Sequence, residues 1–291
     1  MRAIIQHPKF GAYISLMRLN KPIGIFLLLW PTLWALWIAA EGFPSIANLV
    51  IFTLGVILMR SAGCVINDYA DRHVDGAVTR TTSRPLVTGE IQVRDAITLF
   101  VGLCLTALVL VLLTNWTTVL LSVVAVSLAA IYPFMKRYTY LPQVVLGAAF
   151  GWSIPMAFAA ENEGITEVVW LLFTANLLWT VAYDTLYAMV DREDDLKIGI
   201  KSTAILFGDA DRIIIAILQL LCVISLLMVA DKAGLGLMFY LSIASVIGLF
   251  TWQQWLIRTR DIQACFAAFL HNNWVGAVIF LGVFLDYLFK I

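Results

Sequence analysis

The sequence predicts an all-α polytopic membrane protein of nine transmembrane helices, and three observations predict it. The chain is 62% hydrophobic and 13% charged, with a mean hydropathy of +0.91, whereas a soluble domain carries about 25% charged residues. Nine apolar runs approach the roughly 20 residues needed to cross about 30 Å of hydrocarbon. The basic residues fall almost entirely on alternate connections between those runs, as the positive-inside rule requires.

The first run, 23–40, follows a segment carrying Arg2, Lys9 and Arg18. No small-residue cleavage site stands behind it, so no cleavable signal peptide is expected and this helix is retained. Its Trp30, Trp34 and Trp37 recur at helical spacing and are expected at the membrane interface or facing lipid. The second run, 46–66, ends on the acidic segment Asn67-Asp68-Tyr69-Ala70-Asp71-Arg72-His73-Val74-Asp75. Runs 95–113 and 116–134 meet at a tight turn marked by Asn115. The fifth, 141–160, follows the short link Met135 to Tyr140, set between Pro133 and Pro142. The sixth, 166–190, again ends on acids, Asp191-Arg192-Glu193-Asp194-Asp195. Runs 212–230, 234–256 and 270–289 complete a single domain over 1–291.

Of the 19 Lys and Arg, 16 fall on one set of connections and Arg60 lies within the second run; only Lys232 and Lys290 fall on the other side, with Glu41, Glu161, Glu163 and Glu167. This asymmetry predicts a cytoplasmic N-terminus, cytoplasmic acidic clusters and a C-terminus outside, in agreement with an odd number of crossings. Net charge is zero, and nothing points to nucleic acid or to an obligate protein partner. Cys64, Cys104, Cys222 and Cys265 lack paired spacing and read as small packing residues. His7, His73 and His271 are scattered; only His73 falls inside an acidic cluster.

The two longest polar segments, about 68–95 and 191–211, follow the second and sixth runs on the same face. They read alike: Asp71-x3-Asp75 leads to Arg84-Pro85 and Gly89, and Asp191-x3-Asp195 leads to Gly199, Lys201-Ser202-Thr203 and Gly208. A weak internal repeat, about 46–135 and 166–256, is expected from this, of the kind that places a site between two halves. The competing reading is that any two cytoplasmic loops share charged residues.

On a helix, positions i, i+4 and i+8 drift by only ~40° per step. Asn67, Asp71 and Asp75 are thus expected on one face, as are Asp191 and Asp195, with Arg60 and Asp184 about two turns deeper on the same stripes. Hard oxygen donors in this number suit Mg²⁺, which binds one or two carboxylates together with substrate phosphate oxygens. Basic side chains facing such a site suit a metal-bridged diphosphate, and Arg80, Arg84, Lys136, Arg137 and Lys201 are the candidates for direct contact. The plainer reading is that the acids pair with Arg72, Arg80 and Lys197 on a solvated loop, and that Lys136 and Arg137 only set orientation. Tyr183 and Tyr187 flank Asp184 at a spacing suited to cation–π contact.

The string Asn67-Asp-x-x-Asp71-x-x-x-Asp75, followed by Arg84-Pro85-Leu86, Tyr132-Pro133-Phe134-Met135-Lys136-Arg137 and Tyr183-Asp184-x-x-Tyr187-Ala188-Met189-x-Asp191-x-x-Asp194-Asp195-x-x-x-Gly199-Ile200-Lys201-Ser202-Thr203, resembles the UbiA-type intramembrane aromatic prenyltransferases. The tyrosine-containing block and the Tyr-Pro-Phe-Met-Lys-Arg loop are similar to the hydroxybenzoate branch. The resemblance covers essentially the whole chain, including Gly147 to Met156, and no motif position departs from it.

The resemblance implies nine helices around a central cavity capped by cytoplasmic loops, in a bacterial inner membrane. It implies Mg²⁺-dependent transfer from polyprenyl diphosphate to the carbon ortho to the hydroxyl of 4-hydroxybenzoate, in ubiquinone biosynthesis. By motif match, Asn67, Asp71, Asp75, Asp191 and Asp195 would hold Mg²⁺ and the diphosphate, with Asp71, Asp75, Asp191 and Asp195 essential to catalysis. The aromatic acid would meet Arg60, Asp184 and Tyr187, its carboxylate taken by Arg60 first and Arg137 second, unless Arg60 is spent on Asp68 or Asp71. Alternatives are another acceptor, such as homogentisate or a naphthoate, and a secondary transporter with intramembrane acids, although a transporter would set its ionisable groups nearer the midplane.

Overall fold

The computed structural model describes residues 8–77, 81–162 and 164–289, and every regular element among them is helical. A short helix, α1 (Pro8–Leu16), precedes α2 (Ile23–Ala39) and α3 (Ile46–Asp71). The one-turn α4 (Pro85–Thr88) leads into α5 (Val93–Val111) and α6 (Trp116–Met135). Then come α7 (Pro142–Gly151), α8 (Ser153–Asn162), α9 (Glu167–Ile198), the short α10 (Thr203–Phe207), α11 (Asp211–Ala233), α12 (Leu237–Leu256) and α13 (Ile262–Phe289). Among the described residues eight spans are long and apolar enough to cross a membrane, with α7 and α8 together forming one of them. The apolar α2 has 17 residues, at the short end of the range of about 17–25 that crosses a bilayer.

Local chemistry explains the boundaries. Ser45 caps α3 by accepting from the Asn48 amide at 3.2 Å, and Asn115 caps α6 by accepting from Thr118 at 2.9 Å, each satisfying an orphan N–H of the first turn. Gly199, at φ 73°, ends α9 in a left-handed cap that costs any other residue strain. The expected single helix over 141–160 is broken at Trp152. Pro155 lacks the N–H that would reach the Gly151 carbonyl, and its ring crowds that turn.

Two helices run further than expected. α3 continues past 66 to Asp71, and α9 continues past 190 to Ile198, so most of both acidic clusters lies on helix ends rather than in loops. Asp75, by contrast, has left α3. The chain tightens where the Val74 N–H bonds the Asp71 carbonyl at 2.8 Å, and Asp75 opens a separate 3₁₀ turn, Asp75–Ala77. The unbroken three-residue stripe Asn67–Asp71–Asp75 is therefore corrected to a two-residue stripe plus a turn residue.

α9 packs against α11, α7 and α13, while α13 also contacts α12 and α2, and α3 lies along α5. The core sits where α2, α9 and α13 meet. Trp34 and Trp179 are fully buried there with ring centroids 5.3 Å apart, and their indole N–H groups donate to the Gly276 carbonyl at 3.0 Å and to Asn272 Oδ1 at 2.9 Å. The expectation of interfacial or lipid-facing tryptophans is thus overturned for Trp34 and Trp37, both inside the bundle. A buried indole is tolerated when its N–H finds a partner, and α13 supplies one. All four cysteines are unbridged, and Cys64, Cys222 and Cys265 are buried.

Gly276 is what allows α13 to approach this aromatic cluster. A Cβ there would sit 2.8 Å from Trp30 Cγ and 2.9 Å from Trp179 Cη2. Gly276→Val is therefore expected to cost about 1–3 kcal/mol through overpacking, read as a lowered thermal midpoint in detergent micelles. An unchanged midpoint would show that the cluster yields at no cost.

Candidate active site

One cavity of about 1100 Å³ enters between the ends of α3 and α9 and continues down between α3, α5 and α6. Asn67, Asp68, Asp71 and Asp75 line its rim on one side, and Asp191 and Asp195 line it on the other. The two helices thus bring both acidic clusters to one opening. Helical phase sorts the second cluster. Asp191 and Asp195 are a full turn apart and share a face, whereas Asp194 turns outward to Lys197 at 3.2 Å and Arg192 turns away to Asp211 at 2.5 Å. Asp211 is fully buried and also accepts from Arg260 at 3.0 Å, so this three-residue clamp fixes the roll of the α9 end.

The first cluster is held by the chain's own cations. Lys136 Nζ donates to Asp71 Oδ2. Arg84 Nη1 reaches Asp75 Oδ2 at 2.5 Å and Asp68 Oδ1 at 3.0 Å, and Arg18 Nη2 reaches both Asp68 oxygens at 2.9 Å. All three carboxylates are buried, where an unpaired charge would cost several kcal/mol. Burial pushes the Asp75 carboxyl above its ordinary range; Arg84 pulls it back, and Asp71 adds to the rise.

The basic candidates divide. Arg84, Lys136 and Lys201 line the cavity. Lys201 donates from Nζ to the Tyr138 carbonyl at 3.3 Å, and its backbone N–H bonds the Lys136 carbonyl at 2.9 Å, tying the segment after α9 to the link after α6. Arg137 is not among the lining residues. Its Nη2 donates to the Ala70 carbonyl at 2.5 Å, one of the orphan carbonyls that a helix C-terminus offers to a cation. Arg80 lies outside the described residues. His73 is exposed on the surface.

Arg60, Asp184 and Tyr187 line the cavity below the rim. Arg60 is spent on neither Asp68 nor Asp71. Its Nη1 donates to Cys64 Sγ at 3.0 Å, its Nε is buried without a hydrogen-bond partner, and its guanidinium lies 5.7 Å from the Phe150 centroid. Tyr187 packs on Phe269 at 4.8 Å and near Phe266 at 6.3 Å. Further down, the wall is formed by apolar residues such as Phe52, Val56, Leu108 and Val111.

The rim suits a hard cation. Its donors are carboxylate and amide oxygens, and Asp71 Oδ1 is buried with no hydrogen-bond partner among the described residues. Among the described residues no three His, Cys, Asp or Glu side chains form a ready metal cage. That fits an ion which takes only one or two carboxylates and completes its shell from substrate oxygens and water.

The profile of the UbiA prenyltransferase family matches residues 28–276. The chain belongs to that family. A 4-hydroxybenzoate octaprenyltransferase from Saccharophagus degradans is 62% identical over 275 residues, covering 94% of this chain and 92% of that relative. The apo structure of a UbiA homolog from Aeropyrum pernix K1 superposes with a TM-score of 0.80 at 25% identity, covering 90% of this chain and 97% of that one. A UbiA homolog from Archaeoglobus fulgidus, bound to GPP and Mg²⁺, shares the fold with a TM-score of 0.71 at 20% identity over 92% of this chain and 99% of its own.

In this UbiA-family chain, sequence reasoning missed Arg18 as a site residue. It was counted only as a topology charge, yet it lines the cavity and holds Asp68. The available signal was its place in Arg18-Leu19-Asn20-Lys21-Pro22, a polar stretch directly before an apolar helix. Asn20 and Lys21 line the same opening.

Proposed function

We propose that this chain transfers a polyprenyl group from polyprenyl diphosphate to the ring carbon ortho to the hydroxyl of 4-hydroxybenzoate, in ubiquinone biosynthesis. The observation that carries this reading is a single cavity whose lining changes character with depth: acids and bases at the rim, the Arg60 guanidinium below them, and an apolar wall beyond. A diphosphate, an aromatic carboxylate and an isoprenoid tail call for those environments in that arrangement. The activity named for the S. degradans relative, at 62% identity over nearly the full length of both chains, supports the same acceptor, and that name specifies an octaprenyl group.

Asn67, Asp71, Asp75, Asp191 and Asp195 are the residues that would hold Mg²⁺, the ion bound in the A. fulgidus homolog. When bound, it neutralises charge that builds on the departing diphosphate. Lys136, Arg84 and Lys201 face the same space and carry donors to spare, so they share them with the diphosphate oxygens; Arg80 joins them by its place in the sequence. Arg60 takes the 4-hydroxybenzoate carboxylate and so fixes which ring edge faces the donor. Asp184 and Tyr187 flank the ring.

As the donor C–O bond breaks, an allylic cation forms beside Tyr187 and its aromatic neighbours, whose faces attract positive charge. The apolar wall keeps water from capturing it. The ring carbon forms the new C–C bond, and loss of the proton on that carbon restores aromaticity. The basic residues grouped at the rim end support a cytoplasmic N-terminus and a periplasmic C-terminus in a bacterial inner membrane. The two polar segments also share a build that supports an internal duplication of about 46–135 and 166–256: Arg84 precedes α4, which stops at Gly89 (φ 79°), and Ser202 precedes α10, which stops at Gly208 (φ 50°).

Purified protein in detergent, given one labelled prenyl diphosphate and a panel of 4-hydroxybenzoate, homogentisate and a hydroxynaphthoate, is expected to prenylate the first alone, and the product mass from native membranes reads the chain length. Preference for another acceptor would overturn the assignment. In membranes supplied with Mg²⁺, Asp71→Asn and Asp191→Asn are each expected to reduce turnover at least about 100-fold, the scale of losing a group that stabilises developing charge. Retained activity in either variant would separate that cluster from the chemistry.

A further inference from the structure

Gly24 stands in the first turn of α2, where it is buried and lines the cavity. Glycine inside a helix costs about 1 kcal/mol relative to alanine, and no positive φ calls for it here. What calls for it is Arg60. A Cβ on Gly24 would lie 2.8 Å from Arg60 Cζ and closer still to Nε and Nη2, a separation that carbon atoms in a folded protein do not adopt. The guanidinium therefore rests directly against the α2 backbone. Cys64 Sγ holds Nη1 at 3.0 Å, and the Phe150 ring lies 5.7 Å away.

We propose that Gly24 is a positioning residue for the aromatic acid: by lacking a side chain it gives the Arg60 guanidinium its seat against α2 and so sets where the carboxylate of the acceptor is bound. The proposal rests on the assignment of Arg60 to that carboxylate. Asp68 and Asp71 are engaged by Arg18, Arg84 and Lys136, and Asp184 attracts the guanidinium only at longer range, so among the described residues no acid forms an ion pair with Arg60. Its direction is then set by shape. A methyl group at position 24 leaves α3 and its acidic end intact and displaces only the head of a flexible side chain, swinging the cation away from the point where the carboxylate must meet it. Recognition of the diphosphate, two helical turns nearer the rim, is untouched.

The test is a double-mutant cycle on full-length protein in detergent, with 4-hydroxybenzoate and geranyl diphosphate as substrates. Gly24→Ala is expected to raise KM for 4-hydroxybenzoate about tenfold, the scale of one lost charge-assisted hydrogen bond, while KM for geranyl diphosphate stays within about twofold. Arg60→Ala is expected to show the same selectivity. In the Arg60→Ala background, adding Gly24→Ala is expected to change neither KM further, because the two residues act as a unit. Gly102→Ala, on the outer face of α5 with open space around the added methyl, controls for glycine replacement as such and is expected to match the wild type.

An unchanged KM for 4-hydroxybenzoate in Gly24→Ala overturns the proposal, as does a loss of equal size with and without Arg60. If Arg60→Ala weakens both substrates equally, the assignment of Arg60 itself fails, an outcome separate from the other two. Should Gly24→Ala not accumulate as folded protein, the thermal midpoints of Arg60→Ala and of the double variant decide. A midpoint in the double variant equal to or above that of Arg60→Ala places the strain on the guanidinium as proposed, since alanine is itself the better helix former, and a lower midpoint in the double variant places it elsewhere and overturns the proposal.

Discussion

Buried carboxylates at the end of apolar helices must be neutralised, and the way this chain does so organises the rest of the molecule. Asp68, Asp71 and Asp75 are almost wholly buried. An unpaired charge there would cost several kcal/mol, more than most single interactions contribute to stability. Arg18, Arg84 and Lys136 supply the compensation, and they come from three separate connections. The ion pairs therefore do double service. They make the acids tolerable, and they draw the segment before α2, the α3–α5 connection and the α6–α7 link together over one opening.

The second cluster follows a different logic. α9 runs unbroken to Ile198, and its roll is fixed from behind by the Arg192–Asp211–Arg260 clamp. One cluster is thus positioned by partners in front, the other by partners at its back. The Lys201 amide on the Lys136 carbonyl joins the two halves. The result is a rim dense in donors and acceptors above an apolar channel, with a half-buried guanidinium between them. That ordering is what a lipid-tailed diphosphate and an aromatic acid require if they are to meet without water.

Much of this is legible in the sequence. The pairing of Asn67 with Asp71 and of Asp191 with Asp195 follows from 3.6-residue periodicity alone, as does the depth of Arg60, seven residues before Asn67. The failures have physical causes. Periodicity extends a stripe until something stops it, and the 3₁₀ turn after Asp71 stopped it before Asp75. Arg137 stands beside Lys136 in the sequence as a second site base, but adjacent positions on a chain point apart, and its guanidinium donates to the Ala70 carbonyl. Tryptophan statistics favour the interface for Trp34 and Trp37, whereas α13 offers Trp34 the Gly276 carbonyl and packs Phe280 and Phe284 against Trp37. Arg18 escaped notice because a charge beside a membrane helix already has a sufficient topological explanation.

We propose that the rim carboxylates, engaged by the chain's own cations, pass to a metal ion only when a diphosphate arrives to engage those cations in turn. Isothermal titration of Mg²⁺ into the detergent-solubilised protein, with and without saturating geranyl diphosphate, measures this directly. Weak Mg²⁺ binding is expected for the protein alone, with affinity raised roughly 5- to 150-fold by the diphosphate, the usual range for coupled ligands. Equal Mg²⁺ affinity in the two titrations would contradict it.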